Sequence, residues 1–185
     1  MTQTRDDAWA LVTEFVQSDS LRKHMLAVEA SMRYYAEKLG QDVDYWGIAG
    51  LIHDFDYERH PTLDEHVWQG SRILAERGWP PELIRTVQSH ADYMGVPRER
   101  LVDHALFACD ELSGFVTAVA YVRPSHSLAE VEPRSVLKKM KDKAFARAVS
   151  RADIEQGALE MGLPLEEHVA NIIAALQRVA PQLGL

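Results

Sequence analysis

The chain has 185 residues, 46% hydrophobic and 26% charged, enough for one well-filled core and crowded for two. Its formal net charge of −8 argues against a partner such as a nucleic acid polymer, because phosphate backbones select basic faces. A single cysteine, Cys109, excludes an internal disulfide framework and any multi-cysteine zinc site. The N-terminus has no apolar signal core and no run approaches the ~18 apolar residues of a membrane span, so no membrane partner and a cytoplasmic location are expected.

Apolar residues recur at helical spacing from residue 6 to about 17, through Trp9, Leu11, Val12, Phe15 and Val16, and predict a first helix. Ser18, Asp19 and Ser20 offer N-cap groups for a second, which runs to Leu39 and is closed by Gly40. Leu21, Val28, Met32, Tyr35 and Leu39 form its stripe. His24, three after Leu21 and four before Val28, points inward with them, and for a histidine on its own the ordinary reading is a hydrogen-bonded core residue. A third helix starts near Asp44 and carries Ile48, Leu51 and Ile52 into the core. Ala49 and Gly50 permit close helix contact, and His53 and Asp54 end the element. The polar run from Phe55 to Pro61 reads as a loop, the kind of segment that supplies substrate groups and supports for metal ligands.

Residues 63–77 read as a fourth helix with His66, Gly70, Ile73 and Leu74 on one side. A glycine inside a helix costs about 1 kcal/mol, so Gly70 predicts the close approach of another backbone. Pro81 then starts a segment in which Leu83, Val87 and His90 face inward. A long helix from about 99 to 122 carries Leu101, Ala105, Leu106, Ala108, Cys109, Leu112 and Val116, with Asp110 embedded among them. An aspartate in such a setting needs a cation, several donors or a proton. Glu111, on the next face, is expected in solvent. Residues 134–151 hold seven basic residues against Asp142 alone and read as one or two short helices. They form either a solvated face or a phosphate-attracting rim. Ser150 caps a helix that reaches Met161, and Pro164 opens the last one, with Val169, Ile172, Ile173, Leu176 and Val179 inward. No strand alternation, repeat or low-complexity linker interrupts this pattern, so the expected fold is all α in a single domain over 1–185.

His53 and Asp54 side by side at the end of a buried helix are costly unless something positive sits between them. His24, His66, His90 and Asp110 each lie on or beside a separate apolar stripe, and together the six predict a metal site. Imidazole and carboxylate ligands without thiolate suit iron, manganese, nickel, cobalt or zinc, and a carboxylate can bridge two ions. One or two divalent ions are therefore expected. Asp56, Glu58 and Asp92 are candidates for proton handling, and Arg123, Lys138, Lys139 and Lys141 for contact with a substrate phosphate.

The order His24, His53-Asp54, His66, His90, Asp110 resembles the HD-domain metal-dependent phosphohydrolase superfamily, whose shared core is an α-helical bundle. The likeness spans roughly 21 to 112. It implies a metal-binding core at about 21–115 with a C-terminal helical extension at about 124–182. It also implies that His24, His53, Asp54 and Asp110 hold one ion while His66 and His90 add a second, with Asp54 bridging and central to catalysis. The implied activity is hydrolysis of a small phosphorylated, nucleotide-like substrate by a metal-activated water; a monomer or homodimer is expected. The chain departs from the common His-Asp-Ile-Gly-Lys version, having Phe55, Asp56 and Tyr57 after the pair, and it lacks the Gly-Tyr-Pro signature of the cyclic-di-GMP branch. Residues 109–115 and 122–125 look like a predicted-hydrolase branch. The same ligand order is similar to that of mixed-valent di-iron oxygenases of inositol and organophosphonates, and a non-catalytic sensor that retains the metal is a third alternative.

Overall fold

Local side-chain caps open four of the helices in the computed structural model, which describes residues 3–185. All regular structure among them is helical. The elements are α1 (Arg5–Phe15), α2 (Asp19–Leu39), α3 (Val43–Ile52), α4 (Trp68–Glu76), α5 (Pro81–Ser89), α6 (Leu101–Tyr121), α7 (Pro133–Met140), α8 (Arg151–Glu160), α9 (Leu165–Gln177) and α10 (Ala180–Leu183), with short 3-10 turns at Asp92–Met94 and Leu128–Glu130. Thr4, Ser18, Asp42 and Ser150 each accept a backbone N–H from the first turn that follows. Gly40 closes α2 in the left-handed conformation, at φ 65°.

The core has two lobes. In one, Leu11, Val12 and Phe15 of α1 pack with Ile48, Leu51 and Ile52 of α3, Leu74 of α4 and Leu83 of α5. In the other, Val28, Met32 and Tyr35 of α2 pack with Leu106, Leu112 and Phe115 of α6 and Val169, Ile172 and Leu176 of α9. Leu26 and Tyr45 touch both lobes, so α2 and α3 form the wall between them. That wall is thin because Gly50 has no side chain: a Cβ there would lie 3.0 Å from the Val28 carbonyl oxygen. His24 and the His53-Asp54 pair thus stand on adjacent, closely packed elements.

Several expectations require correction. The fourth helix begins at Trp68, five residues later than its periodicity predicts, and His66 sits in the preceding turn, where its N–H bonds to the Thr62 carbonyl. Val67, at φ 61°, breaks the path between the turn and the helix. No local side chain caps α4, and Asp56 does so from twelve residues upstream of Trp68, its Oδ2 accepting the N–H groups of Val67 and Gly70 at 3.1 and 2.8 Å. Gly70 is therefore approached by a carboxylate instead of a backbone: a Cβ would stand 2.8 Å from Asp56. Leu39 and Leu101, expected inside, are exposed at helix ends. The basic stretch forms one helix, α7, followed by an irregular loop. The Arg151 guanidinium, stacked on Phe115, holds this loop by donating to the carbonyls of Asp142, Phe145, Ala146 and Val149. Among the described residues no helix is long and apolar enough to cross a membrane.

Candidate metal centre

Four elements and two turns deliver six side chains to one place. His24 comes from the second turn of α2, His53 caps α3 and Asp54 follows it, His66 precedes α4, His90 caps α5, and Asp110 lies midway along α6. His24 Nε2 is 3.0 Å from Asp110 Oδ1 and 3.3 Å from His53 Nε2. His53 Nε2 is 3.4 Å from Asp110 Oδ1 and 3.5 Å from Asp54 Oδ2. The other Asp54 oxygen, Oδ1, is 3.2 Å from His66 Nε2 and 3.4 Å from His90 Nε2. Ligands at 2.0–2.2 Å from one ion in tetrahedral or octahedral geometry lie roughly 2.8–3.6 Å from one another. These separations fall in that range, His24 Nε2 and Asp54 Oδ2 stand farther apart at 4.0 Å, and each Asp54 oxygen belongs to a different set.

Hydrogen bonding behind the rings fixes which nitrogen faces the centre. His53 Nδ1 donates to the Gly50 carbonyl at 2.8 Å, His90 Nδ1 to the Val87 carbonyl at 2.5 Å, and His66 Nδ1 to Asp56 Oδ1 at 3.0 Å. With Nδ1 committed as a donor, each ring presents Nε2 to Asp54, His53 to Oδ2 and His66 and His90 to Oδ1. His168 gives the contrast within the same molecule. Its Nε2 donates to the Ala108 carbonyl and its Nδ1 accepts from the Tyr35 hydroxyl, so both nitrogens are satisfied by protein and nothing else is needed.

Electrostatics makes the same demand. Burial alone would lower the pKa of His53, yet the charges of Asp54 and Asp110 outweigh it and raise the group to about 9. His66 also rises to about 9, burial being overcome by hydrogen bonds to Asp54 and Asp56. Burial would raise Asp54 and Asp110, and the surrounding imidazoles hold both below the ordinary carboxylate range. The cluster calls for positive charge at its centre, which protons or metal ions can supply. The donor chemistry and spacing fit divalent ions held by His24, His53, Asp54 and Asp110 and by Asp54, His66 and His90, and two three-residue groups, His24-His53-Asp54 and Asp54-His66-His90, could each hold an ion.

A cleft of about 470 Å³ opens onto these residues. It is lined also by Tyr57, Tyr93, Phe107, Glu111, Val149 and Asp153, among others. The proposed C-terminal extension therefore contributes to the site through Val149 and Asp153. Glu111, expected in solvent, is half-buried at the cleft, accepts the Ser150 N–H at 3.2 Å, and is pushed up to about 7 by burial and then by Asp110. Its signal in the sequence is its place beside an embedded aspartate. The Tyr93 hydroxyl is pushed up to about 12, by burial first and then by Asp54 and Asp56.

Of the other sequence candidates, only Asp92 lines the cleft. Asp56 is 1% exposed, is outside the cleft lining, and has its oxygens taken up by His66, Val67 and Gly70. Glu58 is exposed and accepts the backbone N–H groups of Gln17 and Ser18, tying its loop to the start of α2. Asp92 lines the cleft but pairs with Arg98 at 2.5 Å. Arg123, Lys138, Lys139 and Lys141 do not line it. Arg123 bonds to Ser135 at 3.3 Å, and Lys139 lies 4.8 Å from the Phe145 ring centre.

A search among curated proteins returns no match to the chain. The HD domain family model matches residues 21–158, a span that runs from just before His24 into α8 and takes in all six converging side chains. With that span and the His-Asp cluster together, the chain belongs to the HD domain family.

Proposed function

We propose that the chain is a metal-dependent hydrolase that cleaves a small phosphate ester. The observation that carries this reading is Asp54, whose two oxygens serve two separate imidazole sets in a cleft open to a small molecule. HD-domain proteins are generally metal-dependent hydrolases, which agrees with it. Divalent ions held by His24, His53, Asp54 and Asp110 and by Asp54, His66 and His90 would supply Lewis acidity for the phosphoryl oxygens and an acidified water as nucleophile. The protein's share is orientation and proton traffic. The Gly50 and Val87 carbonyls and Asp56 hold the Nδ1 protons of His53, His90 and His66, which keeps the Nε2 lone pairs aimed inward. Glu111, half-buried at the cleft wall, is placed where Asp56 and Glu58 are not, so its carboxyl group can reach the leaving oxygen with a proton.

The test compares wild type with Asp54→Ala under anaerobic conditions, measuring metal content and phosphate release from a panel of phosphomonoesters with added manganese. Joint loss of metal and phosphate release in the variant is expected. Unchanged release by Asp54→Ala rejects the mechanism. Hydrolysis needs no oxygen, so activity under these conditions also separates this reading from di-iron oxygenase chemistry.

A further inference from the structure

The cleft combines two features that the hydrolase reading leaves unused. The first is an aromatic and apolar mouth. Tyr57 is 44% exposed, Tyr93 41% and Leu63 70%, and all three line the cleft that holds the metal ligands. Large apolar surfaces left in water beside a built polar site are characteristic of ligand contact. Tyr57 is held in place, its ring meeting that of His66 edge-on with centres 5.0 Å apart. Tyr93 stands in the 3-10 turn Asp92–Met94, which Arg98 anchors through Asp92. Among the described residues, neither tyrosine hydroxyl has a hydrogen-bond partner in the protein, so the hydroxyls and the exposed part of each ring can meet a ligand.

The second feature is charge. Among the described residues no lysine or arginine lines the cleft, whereas Glu111 and Asp153 do, in addition to the ligand carboxylates and the paired Asp92. Binding a di- or triphosphate chain takes cationic side chains along its length. Here such a chain would run past carboxylates. One phosphate fits at the metal ligands, and what extends beyond it must be uncharged and able to pack on aromatic faces.

Building on the proposed hydrolase activity, we infer that the substrate is a monophosphate ester whose organic part is a flat aromatic ring, packed against Tyr57 and Tyr93, and that polyphosphates are rejected. Ring stacking on such residues supports a preference of about tenfold or more over an aliphatic ester.

The test is binding, by titration calorimetry on manganese-loaded protein, of three non-hydrolysable probes: benzylphosphonate, methylphosphonate and α,β-methylene-ATP. Benzylphosphonate is expected to bind at least about tenfold more tightly than methylphosphonate, with α,β-methylene-ATP weaker than benzylphosphonate. In Tyr93→Ala, and in Tyr57→Leu, which retains an apolar contact for His66, the benzyl-to-methyl ratio is expected to fall to about threefold or less. Equal binding of the two simple phosphonates, or tightest binding of the triphosphate analogue, overturns the inference while leaving a phosphate-binding hydrolase in place. Metal-loaded protein that binds none of the three overturns both readings.

Discussion

Asp56 stands directly behind His66, its Oδ1 3.0 Å from the ring Nδ1, while its Oδ2 takes the N–H groups that open α4. One buried carboxylate thus sets both the tautomer of a candidate ligand and the start of the next helix. Asparagine can keep the Val67 and Gly70 N–H groups on its carbonyl oxygen, but its amide NH2 then faces His66 Nδ1, which must accept and so gives up the tautomer that aims Nε2 at the centre. Asp56→Asn is expected to weaken metal binding at the His66-His90 set by about 10–100-fold and to spare the His24-His53-Asp110 set. Metal titration followed by counting ions per chain checks this, and equal weakening of both sets would contradict it.

Gly70 is the other half of that arrangement. Glycine to alanine inside a helix ordinarily stabilises by about 1 kcal/mol. Here the added Cβ would lie 2.8 Å from the Asp56 carboxylate, which is itself immobilised by three hydrogen bonds. Gly70→Ala is therefore expected to destabilise the metal-free protein by about 1–3 kcal/mol, the cost of overpacking, as read by urea denaturation. A stabilised variant would show that the carboxylate yields freely.

The six candidate ligands were legible in the sequence because burial makes an unpaired histidine or aspartate conspicuous, and the all-α fold because helical spacing and caps agree along nearly the whole chain. Their convergence rests on packing between elements, which spacing within an element does not encode. The late start of α4 was hidden since its cap, Asp56, comes from another segment, and the periodicity of His66 with Gly70 continues through a break at Val67. Arg123 was misjudged for a different reason. It follows Asp110 in the chain, but at about 1.5 Å per residue the helix carries it roughly 20 Å away. The tyrosines at the mouth had no periodic signal at all.

The number of ions can be counted. His66 and His90 present their Nε2 atoms to Asp54 Oδ1, on the opposite oxygen from the His53 set. Fully loaded wild type is expected to hold two ions per chain, and the His66→Ala, His90→Ala double variant one. Elemental analysis of desalted samples against protein concentration decides it. One ion in both proteins would make these histidines supports of a mononuclear site.

The last expectation concerns acid stability. Glu160 at the end of α8 accepts two hydrogen bonds from Arg98, at 2.8 and 2.9 Å, and one from His104 Nδ1 at 2.8 Å. Arg98 in turn holds the Ser89 carbonyl and Asp92 on either side of His90, so the carboxylate ties α8 to the segment bearing a candidate ligand. The Arg98 hydrogen bonds outweigh burial and bring Glu160 from an ordinary 4.5 down to about 2. A depressed carboxylate stabilises the fold fully where both folded and unfolded chains are ionised, which is above 4.5. As pH falls toward 2 the unfolded chain takes up the proton first, so stability drops through that window and the contribution is gone below it. Glu160→Gln is expected to be less stable than wild type at pH 7 by roughly 1–3 kcal/mol, the loss of hydrogen bonds to a charged acceptor. Its stability is also expected to fall less steeply between pH 4.5 and 2. Urea denaturation of both proteins across that range measures the difference; parallel profiles would mean that Arg98 and His104 leave the carboxyl group at its ordinary affinity for protons.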